Sequence, residues 1–284
     1  MRLKIAYSPC PNDTFAFHAL ANGLIDLEGI EPEIILADVE HLNRAACRES
    51  YDVCKLSYHA FFMLSQKYSM LTCGSALGRG NGPLFVTNRR ELSNIDTQFA
   101  KKELKERGVL IPGQMTTAAL LLKIAYPWID LVEEMLFSDI ERELLEDRVG
   151  YGVLIHEGRF TYQDRGLLLI SDLGELWQKM SGLPVPLGGI AVSNKLDINT
   201  AEKVGRVLKR SIEFAFKNPR LSQEYVKINA QEIDLDVIKK HIELFVNEET
   251  LEISNEGRRA VYTLYKRASE INPQIRYREN IFIL

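Results

Sequence analysis

The chain predicts an α/β protein of two lobes, each a mostly parallel sheet flanked by helices, with a helical C-terminal region. Three observations predict it. Apolar runs of strand length alternate with helical runs from Leu3 to about residue 190. The alternation restarts at Val109 after a charged stretch, Glu91–Gly108. From Asn199 onward the pattern is mostly helical.

Leu3–Tyr7 is the first strand. It runs into Ser8-Pro9-Cys10-Pro11-Asn12-Asp13-Thr14-Phe15, a strand-to-helix corner around which the rest of the chain is arranged. Two prolines fix φ on either side of Cys10 and stiffen the corner. Asn12 and Asp13 are favoured N-cap residues, expected to open a helix over Thr14–Asn22 that buries Phe15, Phe17, Ala19 and Leu20. A helix N-terminus offers free N–H groups and partial positive charge, which suits an anionic ligand. A rigid turn with a good cap and no ligand is the plainer alternative.

Pro32–Ala37 reads as a second strand, and Val39–Glu49 as a polar-faced helix capped by Asp38. Tyr51–Ser57 is a third strand, with the apolar helix Tyr58–Gln66 behind it. Met70–Leu77 and Gly82–Asn88 are strand-like and enclose the glycine-rich stretch Gly78–Gly82. In the second set, Phe99–Arg107 is helical within the charged connector. Val109–Gly113 is a strand and turn, and Gln114–Thr117 leads into the helix Ala118–Ala125. Glu134–Ser138 is a short strand, Asp139–Arg148 a helix, and Tyr151–His156 a strand ending on histidine. Leu167–Ser171 is strand-like and Leu173–Met180 helical. Leu183–Val192 is extended and apolar. Asn199 and Glu202 suggest a capping box for a helix through Phe216. Helices follow at Arg220–Asn229, Leu235–Phe245 and Glu256–Ile271, then an extended tail, Arg276–Leu284.

This order implies a discontinuous first lobe, residues 1–88 plus 190–284, and a second lobe, residues 89–189, with the ligand cleft expected between them. The 284 residues suffice for two cores. A hydrophobic fraction of 46% and a charged fraction of 26% fit a soluble globular protein. Net charge is −4 with no basic block, which argues against a nucleic-acid partner. No apolar run reaches membrane-spanning length, so no membrane insertion is expected. The N-terminus enters a strand without a leader pattern, and the four cysteines lack C-x-x-C spacing, so a reducing cytoplasm is the expected location. The oligomeric state stays open, a homodimer among the options.

Among the five histidines, His18 and His59 lie in helical runs beside aromatics and read as core or boundary residues. His41 and His241 lie in charged helices and read as solvent-facing. His156 ends an apolar strand before a Glu157-Gly158 turn, a position that suits a base facing a ligand; imidazole titrates near neutral pH. A histidine merely hydrogen-bonded at a strand end is the alternative. Lys55 and Ser57 alternate with Cys54 and Leu56 and should share a face. A lysine in so apolar a strand needs a partner if buried, and an anionic substrate would serve; the alternative is a lysine at a sheet edge. Thr116 and Thr117, at a helix start, offer hydroxyls to a carboxylate or simply cap the helix. Asn81, between Gly80 and Gly82, lies in a loop that would let backbone approach a ligand. Ser8 shares the corner. No metal constellation, P-loop, Rossmann fingerprint or G-x-S-x-G elbow is present, so no cofactor is expected. The partner implied is a small anionic molecule.

Ser8–Phe15, Lys55-Leu56-Ser57, Pro112–Ala118 and Leu154-Ile155-His156-Glu157-Gly158 together resemble the 1,4-dihydroxy-6-naphthoate synthases of the futalosine route to menaquinone. The resemblance covers nearly the whole chain. It implies a type II periplasmic-binding-protein-like fold used by a cytoplasmic lyase that converts cyclic dehypoxanthine futalosine to 1,4-dihydroxy-6-naphthoate. It implies His156 as proton acceptor, and Lys55, Ser57, Thr116 and Thr117 at the substrate. Two other readings fit the same outline. One is a chorismate dehydratase-like enzyme of the same pathway, whose family lacks the Ser8–Asp13 pattern. The other is a cytoplasmic small-anion binding or sensor protein.

Overall fold

A computed structural model describes residues 1–230 and 234–283. Leu284, the end of the expected extended tail, lies outside them. The chain forms two compact units, Met1–Leu77 with Pro186–Leu284, and Gly78–Val185.

The chain opens with β1 (Arg2–Tyr7), α1 (Pro11–Ala21), β2 (Glu31–Leu36) and α2 (Val39–Cys47). Then come β3 (Val53–Ser57), α3 (Tyr58–Leu64), β4 (Tyr68–Leu71) and β5 (Ala76–Gly78). The second unit continues with β6 (Leu84–Thr87), a 3-10 turn at Arg90–Leu92, α4 (Gln98–Glu106), β7 (Val109–Ile111) and α5 (Thr117–Ala125). It proceeds through β8 (Val132–Glu134), α6 (Phe137–Leu145), β9 (Tyr151–Leu154), α7 (Gly158–Thr161), β10 (Leu168–Asp172) and α8 (Leu173–Ser181). The chain then returns to the first unit through β11 (Val185–Ser193) and α9 (Ile198–Lys217). It ends with α10 (Pro219–Asn229), α11 (Leu235–Phe245), α12 (Glu248–Leu251), α13 (Asn255–Ile271) and β12 (Phe282–Ile283).

The first sheet runs β12-β4-β11-β3-β1-β2, with β5 beside β11. β1 pairs in parallel with β2 and β3, and β12 with β4, whereas β11 runs antiparallel to both β3 and β4. The second sheet runs β10-β6-β9-β7-β8, with only β6 reversed against its neighbours. Each sheet is therefore parallel apart from one strand on its path. The strand Leu84–Thr87, read from sequence as part of lobe one, pairs with β9 and β10 and belongs to the second sheet. The run Met70–Leu77 is two strands, because Gly74 turns the chain at φ +82 between them.

In the first unit, Leu3, Ile5 and Tyr7 of β1 pack with Phe17 and Leu20 of α1 and with Val204, Leu208 and Ile212 of α9. A smaller cluster joins Phe15 of α1 to Ala215, Val226, Ile238 and Val246, so the C-terminal helices cover α1. In the second unit, Leu84, Val86, Leu110 and Leu154 from the strands meet Ile140 and Leu144 of α6. Helix ends follow local chemistry with two corrections. Asp38 caps α2 as expected, accepting from the N–H groups of Glu40 and His41. The cap of α9 is Asp197, which accepts from Thr200 N–H, instead of Asn199. The reciprocal capping box lies at Asn247 and Thr250. No described helix is long and apolar enough to cross a membrane.

Candidate functional site

The corner after β1 is built differently from its sequence expectation. Helix α1 starts at Pro11, with Cys10 as the capping residue, so Asn12 and Asp13 lie inside the first turn and neither caps it. Proline at the first helical position has no N–H to satisfy and a φ already suited to the helix, which moves the start forward. The Cys10 carbonyl accepts from the N–H groups of Asp13 and Thr14 and from the Thr14 hydroxyl.

Asp13 is thereby released for another task. Its carboxylate accepts from Ser8 Oγ at 2.7 Å, from Asn12 Nδ2 at 2.9 Å and from Lys55 Nζ at 2.6 Å. Asp13 and Lys55 are both buried. The partner that the apolar strand β3 demands for its lysine is thus supplied by the chain itself. Gly188 of β11, which pairs with Ser57, makes room for it: a Cβ there would stand 2.8 Å from the Leu56 carbonyl and 3.1 Å from Lys55 Cε. Ser57, one pair further along β3, is buried and held by a residue that the sequence reading missed. Asn43 of α2 donates from Nδ2 to Ser57 Oγ and accepts the Ser57 N–H at Oδ1, both at 3.1 Å. Asn43 has no exposed surface. A polar residue on the stripe Val39, Leu42, Ala46 was the available signal.

Three polar contacts tie the C-terminal helices to the end of β1 and to α1. Tyr7 and Tyr225 share a hydroxyl hydrogen bond of 2.8 Å, His18 Nδ1 meets Ser222 Oγ at 2.9 Å, and His241 Nε2 meets Asn12 Oδ1 at 3.1 Å. Burial, helped by the Tyr225 hydroxyl, pushes the Tyr7 phenol far above its usual range, so it stays neutral. Burial lowers the His18 pKa below the usual imidazole value. His241 is 2% exposed, contrary to its expected solvent-facing position. It lies on one face of α11 with Ile238 and Phe245, and that face packs toward α1.

The second unit holds the other expected residues. Thr116 caps α5: its hydroxyl accepts from Ala119 N–H at 3.2 Å and donates to the Gly113 carbonyl at 2.7 Å. Thr117 is the first helical residue, and both threonines are buried. His156 follows β9 by two residues and sits at φ +55, a left-handed conformation for a residue with a side chain. Its ring meets Phe137 edge-to-face, centroids 4.7 Å apart. Backbone strain of this kind costs of order 1–3 kcal/mol and concentrates at functional sites. The turn is anchored just beyond by Arg159, which donates to the Gly82 carbonyl at 2.6 Å and to Asp172 Oδ2 at 3.0 Å. Asp172 in turn caps α8 through Gly174 and Glu175. Gly82 and Gly174 touch backbone to backbone; a Cβ on Gly82 would lie 2.7 Å from Gly174 N. Asn81 is fixed in the same loop, donating from Nδ2 to the Arg79 carbonyl at 3.0 Å.

The structure therefore brings buried Ser8, Asp13 and Lys55 and half-buried Asn12 into one network, and sets Ser57 beside Asn43. Within the second unit, Arg159 fastens the His156 turn to the Gly78–Gly82 loop.

Both units together have the periplasmic-binding-protein fold. A Candida albicans protein described as exhibiting the generic periplasmic-binding-protein fold superposes with a TM-score of 0.67 at 12% identity, over 99% of this chain and 93% of its own. The alkanesulfonate-binding protein of Xanthomonas axonopodis gives a TM-score of 0.66 at 10% identity, covering 96% and 95%. A solved protein from Archaeoglobus fulgidus is far more similar, with a TM-score of 0.87 and 32% identity over 96% of this chain and 98% of that one.

A sequence model of the menaquinone-biosynthesis family matches residues 3–270. The 1,4-dihydroxy-6-naphthoate synthases of Streptomyces coelicolor and Thermus thermophilus are each 36% identical to this chain, over 275 and 266 residues, with 94% of this chain and 93% of each relative covered. The chain belongs to the menaquinone-biosynthesis family, in the company of its 1,4-dihydroxy-6-naphthoate synthases.

Proposed function

We propose that the protein is a carbon–carbon lyase converting cyclic dehypoxanthine futalosine to 1,4-dihydroxy-6-naphthoate. The observation that carries this reading is the 36% identity across 94% of the chain to two enzymes named for that product. His156 is the general base. It removes a proton from the substrate, a carbon–carbon bond to the sugar-derived part breaks, and the ring system becomes aromatic as that fragment leaves. Aromatisation supplies much of the driving force. General-base help is worth about 10²–10⁴-fold.

Two features support the base assignment. The strained backbone at His156 is held by a turn that Arg159 fastens at two points, and the ring leans on Phe137. A base so held keeps its orientation without reorganising at the moment of proton transfer. Lys55, Ser57, Thr116 and Thr117 hold the anionic and hydroxyl groups of the substrate, with Ser8, Asn12, Asp13 and Asn81 supporting them. Ser57 accepts from Asn43, which leaves its own proton to donate to substrate. The reaction takes place in the cytoplasm, where the free thiols Cys10, Cys47, Cys54 and Cys73 stay reduced.

The test is an anaerobic assay of the purified protein with cyclic dehypoxanthine futalosine, the product identified by mass and ultraviolet spectrum. Formation of 1,4-dihydroxy-6-naphthoate, lost in His156→Ala, is the expected result. Substrate binding without product would move the protein to the binding or sensing class. Dehydration of chorismate in its place would move it to the other enzyme class of the pathway.

A further inference from the structure

We propose that His241 is a positioning residue for this reaction, acting through Asn12 on the Asp13–Lys55 pair; the inference rests on the functional reading above. The argument is one of hydrogen-bond direction. Asp13 accepts from Lys55 Nζ, Ser8 Oγ and Asn12 Nδ2. The side-chain amide of Asn12 is oriented by that last bond: its nitrogen faces the carboxylate, so its oxygen faces α11. An amide oxygen only accepts, so His241 must donate from Nε2 across the 3.1 Å contact. The ring supplies that donor in its Nε2–H tautomer.

A relay of fixed polarity results, from His241 Nε2–H to Asn12 Oδ1, and from Asn12 Nδ2–H to Asp13 Oδ1. Asp13 Oδ1 is also the oxygen that binds Lys55. The direction of the Lys55 ammonium is therefore set in part from a helix more than 180 residues away in sequence. His241 is buried, with its ring 4.9 Å from that of Phe245, so helix packing fixes the donor in place. Without it, the Asn12 amide is held only by its bond to Asp13, and the neutral donor that shares the lysine-binding oxygen is less firmly placed. Substrate affinity through Lys55 should suffer more than the proton-transfer step, which lies with His156.

The experiment compares His241→Phe and His241→Gln with wild type, alone and in an Asn12→Ala background. Phenylalanine keeps the ring volume and removes the donor; glutamine can restore a donor near the Nε2 position. Loss of one such hydrogen bond predicts KM raised roughly 3- to 10-fold in His241→Phe, with kcat changed much less and KM largely recovered in His241→Gln. In the Asn12→Ala background the phenylalanine substitution should add nothing, because its route is gone. A normal KM in His241→Phe with a lowered Tm would reduce the residue to packing and overturn the proposal. So would an equal KM effect with and without Asn12. A wild type that gives no product overturns the functional reading itself, a result distinct from an active wild type with unaffected variants.

Discussion

Lys55 Nζ lies 2.6 Å from Asp13 Oδ1, a buried ion pair that fastens the middle of β3 to the first turn of α1. Taking two charges out of water is expensive, and removing one partner leaves the other uncompensated. Lys55→Met should therefore destabilise the protein by about 3–5 kcal/mol. Lys55→Met combined with Asp13→Leu should be markedly less costly than Lys55→Met alone, because no charge is then stranded. Urea midpoints of the three proteins check this, and a double variant as unstable as Lys55→Met would contradict it.

At His156 strain and chemistry separate by substitution. Glycine occupies positive φ without the steric penalty of a Cβ, so His156→Gly should be more stable than His156→Ala by about 1 kcal/mol. Both should lose turnover by at least about 10²-fold. Thermal melts beside the product assay give the two readouts. An alanine variant as stable as the glycine one would mean that the left-handed turn is not under strain.

Asn43 holds Ser57 at both its N–H and its hydroxyl. Asn43→Ala strands a buried N–H and should cost about 1–3 kcal/mol. Asn43 Nδ2 also donates to Glu40 Oε2 at 3.3 Å, so Asn43→Asp keeps an acceptor for the Ser57 N–H but sets two buried carboxylates together; it should be no more stable than Asn43→Ala at pH 7 while also raising KM. Equilibrium unfolding and steady-state kinetics on the pair test this.

His18 gives the fold a pH dependence of defined sign. Burial lowers its pKa in the folded state. Just below the unfolded value of about 6.5 the unfolded chain then binds more protons than the folded one. The neutral-histidine contribution is present above that value and is lost as pH falls toward the lowered folded pKa. His18→Gln, which retains polar groups near Ser222, should flatten the change in urea midpoint between pH 7.5 and pH 5, as judged from titrations at matched ionic strength.

The architecture was legible because its signals are local. Strand-length apolar runs alternating with helices, and a restart after Glu91–Gly108, foretold two α/β sheets. The placement of Leu84–Thr87 was not legible, since an apolar strand carries no mark of the sheet it joins. In the corner Ser8–Phe15 the residue types of Asn12 and Asp13 point to caps, whereas Cys10 caps α1. Only the tertiary partners Lys55, Ser8 and His241 reveal what the Asn12 and Asp13 side chains do. His241 looked solvent-facing because its neighbours Lys239, Lys240 and Glu243 are charged, yet its spacing from Ile238 and Phe245 puts it on the inner face. Asn43 and Arg159 act through partners outside their own helices, Ser57 and the Gly82 carbonyl, which local sequence does not disclose. The left-handed backbone of His156 is equally invisible in a string of letters.

The place of β11 between β3 and β4 sets an order of assembly during synthesis. A growing chain holds every strand of the second sheet before residues 185–193 emerge to join the two halves of the first. The inserted unit can close on its own, while β1, β2 and β3 on one side and β4 on the other wait for their shared neighbour, and β4 waits longer still for β12 at the far end. Until then the unpaired borders of β3 and β4 are the surfaces most open to mispairing with another nascent chain. The ribosome thus finishes the middle of this protein before its beginning.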